Sequence, residues 1–308
     1  MSTKKRFSLT LFTYDPRMKI RESTPSEARR GPELSRTRAV GEKAILKIFA
    51  EYGFLNLNMV QRCLDMRGHY RIDAKKSVEK MMRLGKLKRH TISLKGSGKQ
   101  DIDIYSLTSP MIEDMRRAGV PLIRYRQDMT DIPYILEHLS VAQWHISLLE
   151  ESVIHESAYM LRIALKDGRS TIIPSLTSHT TIMGQKLYLC GVALPKGGTK
   201  EDMARFLKNI FIMDSYFKEE HMTYRSYVFV LIGEDDRQAE EACRYLSGIK
   251  ETSGIYFLNT NDSITSASVS SPLSLLYDIS LKKGVIERSV ISIPRTSIEA
   301  LRNTRHKK

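Results

Sequence analysis

The sequence predicts an α+β chain: a basic N-terminal unit of three helices and a β-hairpin, followed by a small α/β domain with a mixed sheet. Three observations carry this reading. Between Val40 and Val120 the spacing of apolar residues changes from helical to alternating. Beyond residue 158, apolar strand-like runs alternate with helical ones. The net charge of +14 is unevenly placed: residues 1–118 hold 26 Lys and Arg against 13 Asp and Glu, whereas residues 119–308 hold 23 against 22. A basic unit beside a neutral one is the electrostatic footprint of a nucleic-acid-binding module joined to something else.

Residues 1–35 are expected to form a disordered basic arm. Phe7, Leu9 and Leu11 alternate as a short strand would, and Pro16, Pro25, Gly31 and Pro32 break the remainder. The first folded domain is expected at 36–120. Val40, Ala44, Ile45, Ile48 and Phe49 recur at helical spacing, and Gly53 is placed to end that helix. A second, short helix carries Leu57, Val60, Gln61 and Leu64 on one face, and Arg67-Gly68-His69 makes a turn. Asp73 is a good N-cap for a third helix, whose Ala74, Val78, Met81 and Met82 face inward and which Gly85 ends. Leu87 to Leu94 then alternate, Lys95-Gly96-Ser97-Gly98-Lys99 reads as a loop, and Ile102, Ile104 and Leu107 belong to the returning strand. This order of elements predicts a winged helix-turn-helix.

The charges on that frame point to double-stranded DNA. With Ala74, Val78 and Met81 buried, Lys76, Lys80 and Arg83 fall on the opposite face of the third helix, with Lys75 beside them. A recognition helix enters the major groove by its exposed face. Lys95 and Lys99 flank two glycines at the wing tip, and Arg36 and Arg38 directly precede the first helix. Arg71 and Lys88 complete the expected DNA-binding set. A winged helix used for protein contacts is the other reading of the same face, and a solvated arm is the other reading of Arg36 and Arg38. A membrane-surface role would need a basic amphipathic helix with a broad apolar face, which the sequence does not offer.

After the hairpin, Thr108 or Ser109 caps a helix with Pro110 in its first turn, and Ala118-Gly119 ends it. Residues 121–157 are expected to be a linker and a connecting helix. That helix starts at Pro133, runs to about Ser157, and buries Ile135, Leu139, Ala142, Ile146, Leu149 and Val153, with Trp144 to one side. The α/β domain, 158–290, opens with strands at Tyr159–Leu165 and Thr171–Ile173 around a tight turn. Lys186–Leu194 is an apolar central strand, and Thr199 caps a helix carrying Phe206, Ile210, Met213 and Phe217. A strand at Tyr227–Ile232, a helix at Asp235–Leu246 and a strand at Ile255–Leu258 follow. Residues 260–275 read as loop, and from 284 the chain tapers into a basic tail, 291–308.

No apolar run approaches the roughly 18 to 20 residues that span a bilayer, and no secretory segment follows Met1, so a cytoplasmic protein is expected. Cys63, Cys190 and Cys243 lie in no paired motif and read as reduced, apolar residues. His138 and His145 are seven apart, a spacing that suits packed or hydrogen-bonded histidines better than a metal pair. Pro195 to Lys200 has the composition of a phosphate loop without its spacing, and reads as a flexible loop. Glu234-Asp235-Asp236 reads as acids complementing a helix N-terminus. No metal site and no cofactor are expected.

The winged helix, the turn into Tyr105-Ser106-Leu107-Thr108 and the helix carrying His138-Leu139-Ser140-Val141 resemble the replication-relaxation family of Gram-positive plasmids and conjugative elements. Lys208 to Tyr216 followed by the strand Tyr227 to Ile232 is similar to a Lys-to-Tyr helix and apolar strand of that family. The resemblance covers about residues 40–260. It implies a winged helix ahead of a domain resembling PD-(D/E)XK nucleases, with a replication or relaxase protein or a second copy of the chain as partner. A nuclease of that type needs an Asp at the end of the second strand and a Glu and Lys on the third, to hold Mg²⁺. Here the second strand is expected to end at Pro174-Ser175, and Leu187 to Leu194 contains no acid. The expectation is therefore a DNA-binding protein acting in replication, transfer or transcriptional control, with a non-catalytic scaffold. The alternative is a metal-dependent nuclease with displaced acids such as Glu150, Glu151 or Asp214.

Overall fold

A computed structural model describes residues 12–23, 36–94, 101–123, 131–151, 154–165, 167–168, 170–180, 186–197, 199–219, 227–235, 237–238, 241–242, 244, 255–259, 276–282 and 285–291. Among these, six helices and two sheets make a mixed α+β architecture. The chain divides into two units, Tyr14–Ile135 and Met1–Thr13 with Leu136–Lys308.

The Tyr14–Ile135 unit contains β1 (Lys19–Ser23), α1 (Arg36–Tyr52), β2 (Phe54–Leu55), α2 (Leu57–Met66), α3 (Ala74–Arg83), β3 (Leu87–Ser93), β4 (Ile102–Leu107) and α4 (Ser109–Arg117). Ile45, Ile48 and Phe49 of α1, Val60 and Leu64 of α2, and Val78 and Met81 of α3 are buried, as the helical spacing requires. Asn56 caps α2 through its side chain, and Asp73 caps α3 by accepting from the Lys76 amide. Helix α3 stops where Gly85, at φ 68°, takes the left-handed conformation. The Gly85 and Lys86 amides then reach back to the carbonyls of Met82 and Met81, closing a Schellman turn. Strands β3 and β4 pair antiparallel from Leu87↔Leu107 to Ile92↔Ile102, within a sheet ordered β1-β3-β4-β2.

Several boundaries differ from expectation. Helix α1 begins at Arg36, because nothing in Arg36-Thr37-Arg38-Ala39 breaks a helix; both arginines lie inside it rather than before it. Part of the expected arm is ordered: Lys19–Ser23 pairs with β3, adding a largely exposed edge strand with no apolar alternation to announce it. Met82 is only half-buried. The alternation at Phe7, Leu9 and Leu11 lies outside the described residues.

The second unit contains the remainder of α5 (Ile132–Glu151), then β5 (Ile154–Ala164), β6 (Ser170–Thr180), β7 (Lys186–Ala193), α6 (Lys200–Glu219), β8 (Tyr227–Gly233), β9 (Ile255–Asn259), β10 (Leu276–Lys282) and β11 (Val285–Ile291). Its seven-stranded sheet runs β11-β10-β9-β8-β7-β6-β5. The three strands β7, β8 and β9 are mutually parallel, and the other pairs are antiparallel. Alternate residues of β7 and β8 sort to two faces. Cys190, Val192, Tyr227, Phe229 and Leu231 pack with Phe206, Ile210, Met213 and Phe217 of α6. Leu189, Ala193, Val228, Val230 and Ile232 pack with Val141, Trp144 and Leu148 of α5. Burial runs without a break from Leu136-side residue His138 through Leu148, including Gln143 and both histidines, so α5 is a core helix rather than a one-stripe helix.

Helix α5 ends at Glu151, short of the expected Ser157, and the chain enters β5 at Ile154. Strand β6 continues past Pro174 to Thr180, so Ser175 is a mid-strand residue, not a strand end. Pro174 is tolerated because the ladder skips it: Tyr159 pairs with Ser175 and Leu161 with Ile173. The hairpin turns over at this point. Ser175 bonds to His145 of α5, whereas Ile173 and Leu161, two residues along, join the α6 cluster. Met160, opposite Pro174, has φ 53°, in the left-handed region that non-glycine residues uncommonly adopt. The expected tail from 284 contains β11, which pairs with β10 from Leu276↔Ile291 to Lys282↔Val285; the loop at 260–275 and half of the helix expected at Asp235–Leu246 lie outside the described residues, and residues 237–238, 241–242 and 244 of that helix are helical.

Lys196, expected in a flexible loop, and Glu234, expected as an acid at a helix start, are both buried. Lys196 follows β7, and its Nζ donates to the Phe12 carbonyl and to Glu234 Oε1 at 2.6 Å. Its amide donates to Glu137 Oε1 at 2.9 Å. Burial pulls the Lys196 ammonium below the usual lysine range, and Glu234 and Glu137 push back against that shift. Glu234 is thus an ion-pair partner rather than a helix-end acid, and the loop carrying Lys196 is pinned rather than free.

Helix α5 lies close against the sheet at Gly191, where an added Cβ would lie 2.2 Å from Trp144 Cζ3. Gly191→Ala is expected to destabilise the protein by about 1–3 kcal/mol through overpacking. Chemical denaturation measures this, and an unchanged midpoint would show that Trp144 does not rest on β7.

Candidate nucleic-acid interface

Helix α3 has two distinct sides. Ala74, Val78 and Met81 are buried, while Lys75, Lys76, Glu79 and Arg83 are exposed. The turn before it adds Arg71, also exposed. Gln61 of α2 ties that turn down: its Nε2 donates to the Ile72 carbonyl at 3.1 Å, and its Oε1 accepts from the Ala74 amide at 2.9 Å. The start of α3 is therefore held at a fixed place relative to α2.

Not every expected cation belongs to this face. Lys80 is half-buried, and its Nζ lies 2.7 Å from Oε1 of Glu42 on α1. Lys86, just after α3, reaches Oε2 of the same carboxylate at 3.3 Å. Glu42 itself is buried, and a buried carboxylate must be paired. Lys80 is accordingly a structural partner of α1, a correction to its expected place among the free cations. Lys88 is corrected likewise: its side chain is only 15 % exposed and its Nζ lies 2.9 Å from Oε2 of Glu22 on β1. Next to it, His90 is buried and hydrogen-bonded to Ser106 Oγ at 3.0 Å. Burial and the neighbouring Lys88 hold the His90 imidazole down to about 4, against an opposing pull from Glu22, so it is neutral at pH 7.

Of the ten expected contact residues, the structure brings Arg71, Lys75, Lys76 and Arg83 together at the exposed side of α3 and its leading turn. Arg36 and Arg38 occupy the first turns of α1, and their side chains, like Lys95 and Lys99, lie outside the described residues. Sequence reasoning missed Glu42, whose role follows only from a fold that sets α1 beside α3. It also passed over Tyr70, which is 75 % exposed beside Arg71; an aromatic residue inside the short run His69-Tyr70-Arg71 was the available signal.

Two of the positions that nuclease chemistry would use, Ser175 and Asp214, carry internal hydrogen bonds. Ser175 is fully buried, with its Oγ 2.6 Å from Nδ1 of His145, and Ser157 Oγ lies 3.0 Å from His145 Nε2. Burial takes the His145 imidazole down to about 3, so the ring is a neutral hydrogen-bonding bridge from α5 to β5 and β6. Tyr159 packs edge-on against both His138 and His145, which makes these packed histidines, as their spacing suggests. Asp214 accepts from Tyr227 Oη at 2.6 Å and pairs with Lys218 at 2.7 Å. The Glu151 side chain is outside the described residues. Among the described residues, no group of three or more His, Cys, Asp or Glu is placed to hold a metal ion, and no helix is long and apolar enough to cross a membrane. Cys63 and Cys190 are buried and unbridged, and Cys243 lies outside the described residues.

No family model, no curated protein and no solved structure matches the chain.

The Glu42 pair makes the frame of this face sensitive to acid. Burial raises the Glu42 carboxyl, and the hydrogen bonds and charges of Lys80 and Lys86 outweigh it, leaving the group below the usual glutamate value. A depressed carboxyl stabilises the fold fully above its unfolded pKa, about 4.3, and that contribution is lost as pH falls through the lower folded value. Thermal melts across this range are expected to show an acid limb that Glu42→Gln flattens. The same limb in the variant would show that the pair contributes nothing.

Proposed function

We propose that the chain is a DNA-binding protein of a plasmid or conjugative element, of the replication-relaxation kind it resembles in sequence, acting in replication, transfer or transcriptional control. In this reading α1, α2 and α3 with the β3–β4 hairpin form a winged helix-turn-helix, and α3 enters the major groove of double-stranded DNA. The α/β unit is a degenerate PD-(D/E)XK-like scaffold without nuclease chemistry, which contacts a second copy of the chain or a replication or relaxase protein. The protein works in the cytoplasm.

The observation that carries the reading is the sidedness of α3. Its buried side fixes it against α1 and α2, and its exposed side offers Lys75, Lys76 and Arg83, with Arg71 at the turn. These belong to the part of the chain that holds nearly all its excess positive charge. Cations near the start of such a helix meet phosphates flanking the groove, and each phosphate contact releases counterions. The scaffold reading is supported by Ser175, whose hydroxyl is committed to His145, and by the acid-free β7.

Lys75→Ala, Lys76→Ala and Arg83→Ala combined are expected to lower the slope of log K against log salt by about 2 to 3 units on duplex DNA, at unchanged melting temperature. Lys80→Ala is expected to lower the melting temperature instead, because it strips a buried carboxylate of a partner. Identical slopes for the triple variant and the parent would move the face to protein contacts. The parent protein is expected to leave supercoiled plasmid intact with Mg²⁺ or Mn²⁺; nicking that disappears with Glu150→Ala and Glu151→Ala would make the α/β unit a working nuclease.

A further inference from the structure

We propose that Tyr70 is a specificity-determining residue of the α3 face, its ring seating on the 5-methyl group of thymine in the major groove. The proposal rests on the DNA-binding reading above and deepens it.

Tyr70 is 75 % exposed, well beyond Ile172 at 41 % and Phe211 at 36 %, the other exposed large hydrophobics among the described residues. Its backbone is not loose. The Ile72 amide donates to the His69 carbonyl at 2.9 Å, so Tyr70 and Arg71 are the two central residues of a tight turn. Gln61 clamps the Ile72 carbonyl and the Ala74 amide from α2. The Ile72 side chain rests on α1 at Gly41, where an added Cβ would stand 3.2 Å from Ile72 Cδ1. The turn is thus tied to both neighbouring helices while the phenol ring at its tip points to water. Such an anchor loses little conformational freedom when something covers it.

The surroundings select the occupant. Arg71 is adjacent, and Lys75 and Lys76 follow in the first turn of α3, all exposed. Asp73 is the one acid in that stretch, and its carboxylate is committed to the Lys76 amide as a cap. A partner must therefore offer anionic groups around a small apolar surface. The major groove supplies both: phosphates at its rim, and at each thymine a methyl group that is the one apolar feature of the base edges. Cations and ring have separable signatures. Phosphate contacts release counterions and steepen the salt dependence, whereas a ring–methyl contact releases none.

The test uses the full chain and two fluorescein-labelled duplexes of the same mixed sequence, one with every thymine replaced by uracil, which removes only the methyl groups. Affinity is measured over a salt series for the parent, Tyr70→Ala, Tyr70→Phe and the Lys75→Ala/Lys76→Ala pair. The parent is expected to bind the thymine duplex about fourfold more tightly per methyl contacted, the worth of one buried CH₂. Tyr70→Ala loses that preference at an unchanged salt slope, Tyr70→Phe keeps it, and the lysine pair keeps it while the slope falls by about two. Tyr70→Ala with the parent's thymine preference, or a parent indifferent to uracil, overturns the proposal and leaves the DNA-binding reading standing. A parent that binds neither duplex overturns both. Competition by polyglutamate that weakens with Tyr70→Ala, in a parent indifferent to uracil, assigns the ring to an acidic protein partner instead.

Discussion

A carboxylate taken out of water has to be neutralised by its neighbours, and in the basic unit that carboxylate is Glu42. It sits on α1, and two lysines converge on it, Lys80 from α3 and Lys86 from just after it. This one requirement does more than join two helices. It holds the Lys80 side chain against α1, and it anchors the chain just past the Schellman turn through Lys86. What remains on the outer side is a smaller cationic face, Arg71, Lys75 and Lys76 at the start of α3 and Arg83 at its end. The sheet repeats the device, with Glu22 of β1 taking Lys88 out of solvent. Basic charge in this unit therefore divides: Lys80, Lys86 and Lys88 hold elements together, whereas Arg71, Lys75, Lys76 and Arg83 are exposed.

The α/β unit solves a related problem without a free cation. Helix α5 is buried on all sides over most of its length, so its polar side chains need internal partners. Ser140 and Ser147 bond back to carbonyls four residues earlier, and His145 bridges two strand serines. Close packing requires Gly191 beneath Trp144. The His145 bridge is matched to one arrangement of helix and sheet, because sliding α5 by a turn would strand the ring and both strand serines.

The sequence made legible what depends on periodicity and on local capping. The apolar spacing of α1 and α3, the Asp73 cap and the apolar strands β7 and β8 all follow from residues within a turn or two of one another. The misreadings have a common physical origin in long-range pairing. Lys80 and Lys88 looked like solvent-facing charges because their acids stand 38 and 66 residues away. Strand β1 is mostly exposed, so no alternation marks it, and it exists because β3 has an edge to pair with. Pro174 read as a terminator, whereas the ladder simply passes over it opposite Met160. Lys196 looked like a loop residue beside glycines, and its burial depends on Glu234 and on a backbone carbonyl near the other end of the chain.

That last contact bears on the order in which the protein can assemble. Phe12 is buried in the unit that resumes only at Leu136, and its carbonyl waits for Lys196, 184 residues downstream. At ribosomal speeds this gap is on the order of 10 to 40 s. The Tyr14–Ile135 unit is complete in sequence well before then, and its local helices close quickly. The α/β unit, by contrast, cannot finish its core until both of its separated segments have left the ribosome. The basic module is thus the first part of the molecule able to reach its final form, while the Phe12 carbonyl lacks its Lys196 partner until synthesis has passed β7.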